Sequence, residues 1–167
     1  MIQIYTGNGK GKTTACLGLA LRAQGAGLKV FIGQFIKRGH YSELAAIKKL
    51  PNIKVKQFGR KGFIINKPTA KDLALAKNGL DKVTDIITKR TYDLIILDEI
   101  NVALRLKLLK LNEVLELIKC IPQKTELVLT GRYAHPRLLK IADLVSEIKE
   151  RKHYYKKGKK ARKGIEF

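Results

Sequence analysis

The chain has 167 residues and a mass of 18.8 kDa, and 45% of its residues are hydrophobic, enough apolar material for one buried core. Thirty-five lysines and arginines face 14 acidic residues, a formal charge of +21, and a field of that sign draws polyanions such as nucleotides, nucleic acids and anionic lipid. The composition excludes a disordered chain, no apolar run approaches the roughly 18 residues that span a bilayer, and the amino end lacks the basic-then-apolar order of a secretion signal, so a cytoplasmic protein is expected.

Taken in order, Ile2 to Thr6 is a short β-branched run ending at glycine, which predicts a strand. After a glycine-rich loop, TTACLGLALRAQGAG carries a helical spacing stopped by Gly25 and Gly27. LKVFIGQFI, residues 28–36, predicts a buried strand, followed by a helix over about 41–50 and a strand over 53–58. Pro68 and Thr69 introduce a long helix over about 70–90. YDLIILDE, residues 92–99, is the clearest strand, four apolar residues running into two carboxylates. A helix over about 111–120, a strand over 126–132, a short helix over 135–142 and a strand over 143–149 complete the chain. Strands alternating with helices, several of them apolar on both faces, predict an α/β fold in three layers: a mostly parallel sheet with helices on each side. Right-handed crossovers place the loops at the strand C-terminal ends along one edge, where such sheets bind ligands.

No repeat or linker interrupts residues 1–167, so a single nucleotide-binding domain is expected. The segment 59–69, GRKGFIINKPT, lacks periodicity and reads as a long functional loop. From Lys149 to Phe167 there are nine lysines and arginines against two glutamates, which predicts a solvated basic tail that is mobile until a ligand neutralises it. Cys16 and Cys120 lie in apolar-periodic segments without metal spacing, which predicts two buried free thiols in a reducing compartment. His40, His135 and His153 are scattered and read as structural or exposed.

The stretch TGNGKGKTT, residues 6–14, set between a strand and a helix, has the arrangement of a phosphate-binding loop. Glycines let backbone N–H groups converge on anionic oxygens, and the helix that begins near Lys12 adds its positive dipole end. Lys12 is placed to reach terminal phosphate oxygens and the Thr13 hydroxyl to bind Mg²⁺. The strict pattern has glycine at position 6, where this chain has Thr6. Asp98 and Glu99 at a strand tip supply the carboxylates such a site needs near its metal, Arg132 at another strand end can neutralise phosphate, and Gln34 and Lys37 close a third strand on the same edge. These residues predict a magnesium-nucleotide binder and leave the reaction open.

TGNGKGKTTA, QFIK at 34–37, DLIILDEIN at 93–101, LTGR at 129–132, ADLVSEI at 142–148 and the closing KH…GIEF together resemble the ATP:corrinoid adenosyltransferases of the CobA/BtuR type, in order and over nearly the whole chain. The resemblance implies a RecA-like fold, a homodimer, and transfer of the 5′-deoxyadenosyl group of ATP to the Co(I) centre of a reduced corrinoid with release of triphosphate. It implies that Gly7, Asn8, Gly9, Lys10, Gly11, Lys12, Thr13 and Thr14 cradle the triphosphate. It further implies that Thr13 and Glu99 hold Mg²⁺ (or Mn²⁺), that Lys12, Glu99 and Arg132 serve catalysis, and that Phe63 meets the corrinoid. Ile65 stands where enterobacterial members resemble one another in a tryptophan. A flavoprotein reductase delivering Co(I) is the implied partner, and neither membrane nor nucleic acid is expected. The charge keeps a RecA-like ATPase on nucleic acid as the competing reading, with a nucleotide-binding regulatory module behind it.

Overall fold

The computed structural model describes residues 1–62, 64 and 67–167. Its elements are β1 Ile2–Thr6, α1 Lys12–Gly25, β2 Val30–Phe35, α2 Ser42–Ile47, β3 Ile53–Phe58, α3 Ala70–Thr88, β4 Leu94–Asp98, α4 Ile100–Arg105, α5 Leu111–Lys119, β5 Glu126–Thr130, α6 Pro136–Ile141 and β6 Leu144–Glu147, with a 3₁₀ turn at Tyr154–Lys157. The strands form a six-stranded sheet in the order β3-β2-β4-β5-β1-β6, and every neighbouring pair is parallel.

Parallel pairing explains the continuous apolar runs: β2 and β4 are buried at every position, and alternate side chains go to opposite faces. Phe31, Ile95, Leu97, Leu127 and Leu129 enter the larger core with α3, α4, α5 and α6. Ile32, Leu94, Ile96 and Val128 enter a second core with Cys16, Ala20 and Ala23 of α1 and Ile47 of α2. The three layers expected from the alternation are present. α3 starts where Thr69 promised, through a capping box in which Asp72 N donates to Thr69 Oγ1 at 3.3 Å and Thr69 N donates to Asp72 Oδ2 at 2.9 Å.

The strand order sets up the site. β5 lies between β1 and β4, and β2 lies beyond β4, so four strand tips sit side by side along one edge. Three differences from the sequence reading matter there. α4 begins directly after Glu99 and has no counterpart among the elements read in chain order, because six residues are too few to show a helical period. The basic tail folds back onto the glycine-rich loop, a placement the sequence reading does not contain, and Tyr154 and Glu166 hold it there by hydrogen bonds to Lys10. Cys16 is buried as expected, but Cys120 is exposed, because it caps α5 away from the stripe of Val114, Leu117 and Ile118. Among the described residues no helix is long and apolar enough to cross a membrane.

Candidate active site

The turn out of β1 is built by close approach. Gly7 has φ +95°, and a Cβ there would lie 2.4 Å from the Ile148 carbonyl oxygen, so neither the backbone angle nor the space admits a side chain. Gly9 N donates to that same oxygen at 2.7 Å, tying the loop to the chain leaving β6. Thr6 takes the place of the expected glycine because the turn comes one residue later, and its Oγ1 accepts from Ala134 N at 3.3 Å. Gly11 caps α1, whose first N–H groups have no partner within the helix and give the loop a positive end. Gly9, Lys10, Gly11, Lys12, Thr13 and Thr14 line a cavity of about 1090 Å³, whereas Gly7 and the exposed Asn8 are not part of its lining.

Lys12 is buried and turns back on the loop, donating to the carbonyls of Gly7 and Gly9 at 2.7 Å each. Burial holds its pKa below the ordinary lysine value, with Glu99 opposing that shift. Beneath it the Cys16 thiol donates to the Thr13 carbonyl at 3.1 Å, and burial pushes its pKa up.

Asp98 is fully buried at the tip of β4 and accepts four hydrogen bonds. Thr130 Oγ1 donates to Oδ1 at 2.6 Å and Thr13 Oγ1 to the same oxygen at 3.0 Å, while Lys37 Nζ donates to Oδ2 at 3.1 Å and Gln34 Nε2 at 3.3 Å. A buried carboxylate needs this much compensation. Glu99 follows with φ +62°, a strained angle for a residue with a side chain, and its N–H is fixed by Thr130 Oγ1 at 3.0 Å. Burial raises the Glu99 pKa and the Asp98 charge adds to this, while Lys37, whose Nζ lies 3.5 Å from Glu99 Oε1, opposes it. Lys37 reaches the carboxylates because Ile36 adopts φ +55° and Lys37 N donates to Phe35 O at 2.7 Å, a tight turn with an angle unusual for a β-branched residue. Its ammonium also donates to Thr13 Oγ1 at 3.1 Å. Although burial works against its charge, Asp98 and Glu99 hold the Lys37 pKa above the ordinary value.

Thr13, Asp98 and Glu99 therefore gather hard oxygen donors around one cationic position, which Lys37 fills. Among the described residues no three His, Cys, Asp or Glu side chains form a metal cage. That donor set fits a magnesium ion that takes its other ligands from water and nucleotide phosphates. Arg132, exposed after β5, lines the same cavity and lies close enough to Lys12 to lower its pKa. His135 and His153 spend Nδ1 on capping, accepting from Arg137 N and Tyr155 N at 3.1 Å each. Phe63 and Ile65 lie outside the described residues. Sequence reasoning missed Thr130, although the LTGR stretch that contains it was singled out, and it gave Lys37 no specific task.

The profile of ATP:corrinoid adenosyltransferase BtuR/CobO/CobP matches residues 1–167. A corrinoid adenosyltransferase from Pseudomonas aeruginosa is 34% identical over 169 residues, covering 100% of this chain and 83% of that protein. Corrinoid adenosyltransferase CobA from Salmonella typhimurium is 34% identical over 172 residues, covering 100% and 85%, and the Escherichia coli K12 corrinoid adenosyltransferase is 33% identical over 168 residues with the same coverage. Among solved structures, a KaiC-like protein from Pyrococcus horikoshii superposes with a TM-score of 0.57 at 18% identity, covering 90% of this chain and 74% of that one. That likeness is one of fold and agrees with the RecA-like arrangement expected. With the whole-chain profile match and three relatives above 30% identity, the chain belongs to the ATP:corrinoid adenosyltransferase family, BtuR/CobO/CobP.

Proposed function

We propose that this chain transfers the 5′-deoxyadenosyl group of ATP to the cobalt of a reduced corrinoid and releases triphosphate. The corrinoid Co(I) brings the electron pair, a cobalt–carbon bond forms at ribose C5′ as the C5′–oxygen bond breaks, and the bonding pair leaves on the triphosphate. The observation that carries this reading is convergence: the glycine-rich loop, Lys37, Glu99 and Arg132 line a single cavity, with Asp98 buried behind Thr13 and Lys37, in a chain of this family. A volume of about 1090 Å³ lies at the upper end of what small-molecule and cofactor sites occupy. The protein needs no nucleophile of its own, and Cys16 offers none, since burial keeps its thiol protonated.

In this reading the amides of Gly11 to Thr14 cradle the triphosphate, and Lys12 exchanges the carbonyls of Gly7 and Gly9 for phosphate oxygens. Arg132 neutralises charge as the leaving group departs. Thr13 and Glu99, with Asp98 behind them, would hold Mg²⁺ or Mn²⁺. The metal's part, when bound, is to screen charge developing on the triphosphate. The same reading takes residues 1–167 as one domain, working as a cytoplasmic homodimer supplied with Co(I) by a flavoprotein reductase.

The test is direct. Purified protein given ATP, Mg²⁺ and chemically reduced cobalamin is expected to produce the light-sensitive adenosylcobalamin spectrum and one triphosphate per turnover. ADP and phosphate in place of triphosphate would refute the transfer and point to an ATPase. Lys12→Ala is expected to lower turnover by about 10²–10³, and normal turnover in that variant refutes its role.

A further inference from the structure

Lys10 and Lys12 flank Gly11, yet their ammonium groups serve different partners. Lys12 bonds within its own loop. Lys10 Nζ donates to the Tyr154 hydroxyl at 2.8 Å, to Glu166 Oε1 at 2.9 Å and to the Ile165 carbonyl at 3.1 Å. An ammonium has three protons, so Lys10 commits all of them to the 154–167 segment. The far side of the contact is equally engaged. Arg162 N donates to Glu166 Oε2 at 2.6 Å, Arg162 Nη2 to Oε1 at 3.3 Å, and the Tyr154 hydroxyl also donates to Oε1. Lys10 and Arg162 lie over the Tyr154 ring, 5.5 and 5.1 Å from its centroid. Tyr154, Arg162 and Lys10 together hold the Glu166 carboxyl well below the usual range. The segment then reaches α2, where Ser42 Oγ donates to the Phe167 carbonyl at 3.0 Å. Gly164, Ile165, Glu166 and Phe167 line the same cavity as the phosphate loop.

We propose that Glu166 is a positioning residue which, through Lys10, latches residues 164–167 in place as a wall of the nucleotide cavity. Lys10 is then the loop's anchor for that wall, not a phosphate ligand. The inference rests on ATP occupying the cavity, as proposed above. A wall already fastened before the nucleotide arrives spares binding the cost of ordering four residues and their side chains. A free tail would impose that cost on every binding event. The latch also explains a chemical oddity of the segment: among nine cations from 149 to 167, Glu166 is one of two acids, and it sits where it meets the loop.

The experiment uses the full chain and ATP itself. Calorimetric titration with ATP, steady-state kinetics and amide hydrogen exchange are measured for the wild type, Glu166→Gln, Lys10→Met and the double variant. Each single change is expected to weaken ATP about tenfold, raising KM with kcat altered by less than about twofold. The double variant is expected to be no worse than either single, the mark of two residues acting as one unit. Lys10→Arg keeps the cation and is expected to restore most of the affinity. Without nucleotide, amides of 154–167 are expected to exchange faster in both single variants. Losses that multiply in the double variant would make Lys10 a phosphate contact and overturn the latch. Unchanged or tighter ATP binding in Glu166→Gln overturns it too, as does unchanged exchange. If the wild type itself binds no ATP, the proposed function falls and takes the latch with it. A wild type that binds, with variants that match it, sinks the latch alone.

Discussion

Thr130→Val tests the hydrogen-bonded centre of the site with almost no change in shape. The Thr130 hydroxyl is fully buried and does two jobs, donating to Asp98 Oδ1 at 2.6 Å and accepting from Glu99 N at 3.0 Å. Valine fills the same volume and does neither. A hydrogen bond to a charged group contributes about 1.5–3 kcal/mol, and a buried N–H left without a partner costs about 1–3 kcal/mol. Asp98 keeps Thr13, Lys37 and Gln34 as donors, which recovers part of the loss, so the expected destabilisation is about 2–4 kcal/mol. Thr130→Ser keeps the hydroxyl and removes one methyl, an expected cost of about 1 kcal/mol. Urea denaturation at neutral pH without nucleotide measures both, and the m-value is expected to stay constant. If the valine variant lies within about 0.5 kcal/mol of the serine variant, a spread that is normal for surface changes, the hydroxyl does not organise Asp98 and Glu99 as argued.

Lys37→Met removes the ammonium that bridges Thr13, Asp98 and Glu99. Mn²⁺ followed by paramagnetic resonance, without nucleotide, is expected to bind about tenfold more tightly, a gain of about 1.4 kcal/mol; unchanged Mn²⁺ affinity would mean that the ammonium does not hold the cation's place. Glu99 is an acid whose pKa burial raises, so its folded form takes up a proton at a pH where the unfolded chain has released it. Its carboxylate thus costs stability at neutral pH, and that cost fades as pH falls through the raised value. Glu99→Gln is therefore expected to melt higher than wild type at pH 7, with a difference that shrinks on acidification, while turnover falls at least about tenfold; a lower midpoint at pH 7 contradicts the burial argument. Gly7→Ala adds a Cβ 2.4 Å from the Ile148 oxygen at φ +95°. It is expected to cost about 2–4 kcal/mol in urea denaturation and to weaken ATP in a calorimetric titration, and wild-type values for both would show that the loop moves off Ile148 freely.

The fold was legible because its signals are local and repeated. Four apolar residues ahead of Asp98 announce a strand buried on both faces, and Gly25 with Gly27 announces the end of α1. Strand order was not legible, since the placement of β5 between β1 and β4 depends on contacts far apart in the chain. α4 escaped for a different reason: it begins at a left-handed Glu99, without the side-chain cap that marks most helix starts. Phe63 and Ile65 lie outside the described residues, so the aromatic expected against the corrinoid rests on the sequence alone.

At the site, the motif gave the loop residues and the carboxylate pair and concealed the partners that reach them from other strands. Lys12, Thr13 and the carboxylate pair could be named because spacing along one strand and one helix places them. Thr130 and Lys37 could not be given tasks, because each acts across strands: β5 and β2 both pair with β4, and only that register brings a hydroxyl and an amine to Asp98. The tail shows the limit of counting charge. Nine cations in 149–167 predict attraction to anions and name no place on the protein for the segment. Long-range repulsion between like charges is screened beyond roughly 8–10 Å in salt. At contact the carboxylate of Glu166, with Tyr154 beside it, offers Lys10 hydrogen bonds that diffuse like-charge repulsion does not overcome. The net charge describes what the segment attracts at a distance, and its one acid near the end determines where it lands.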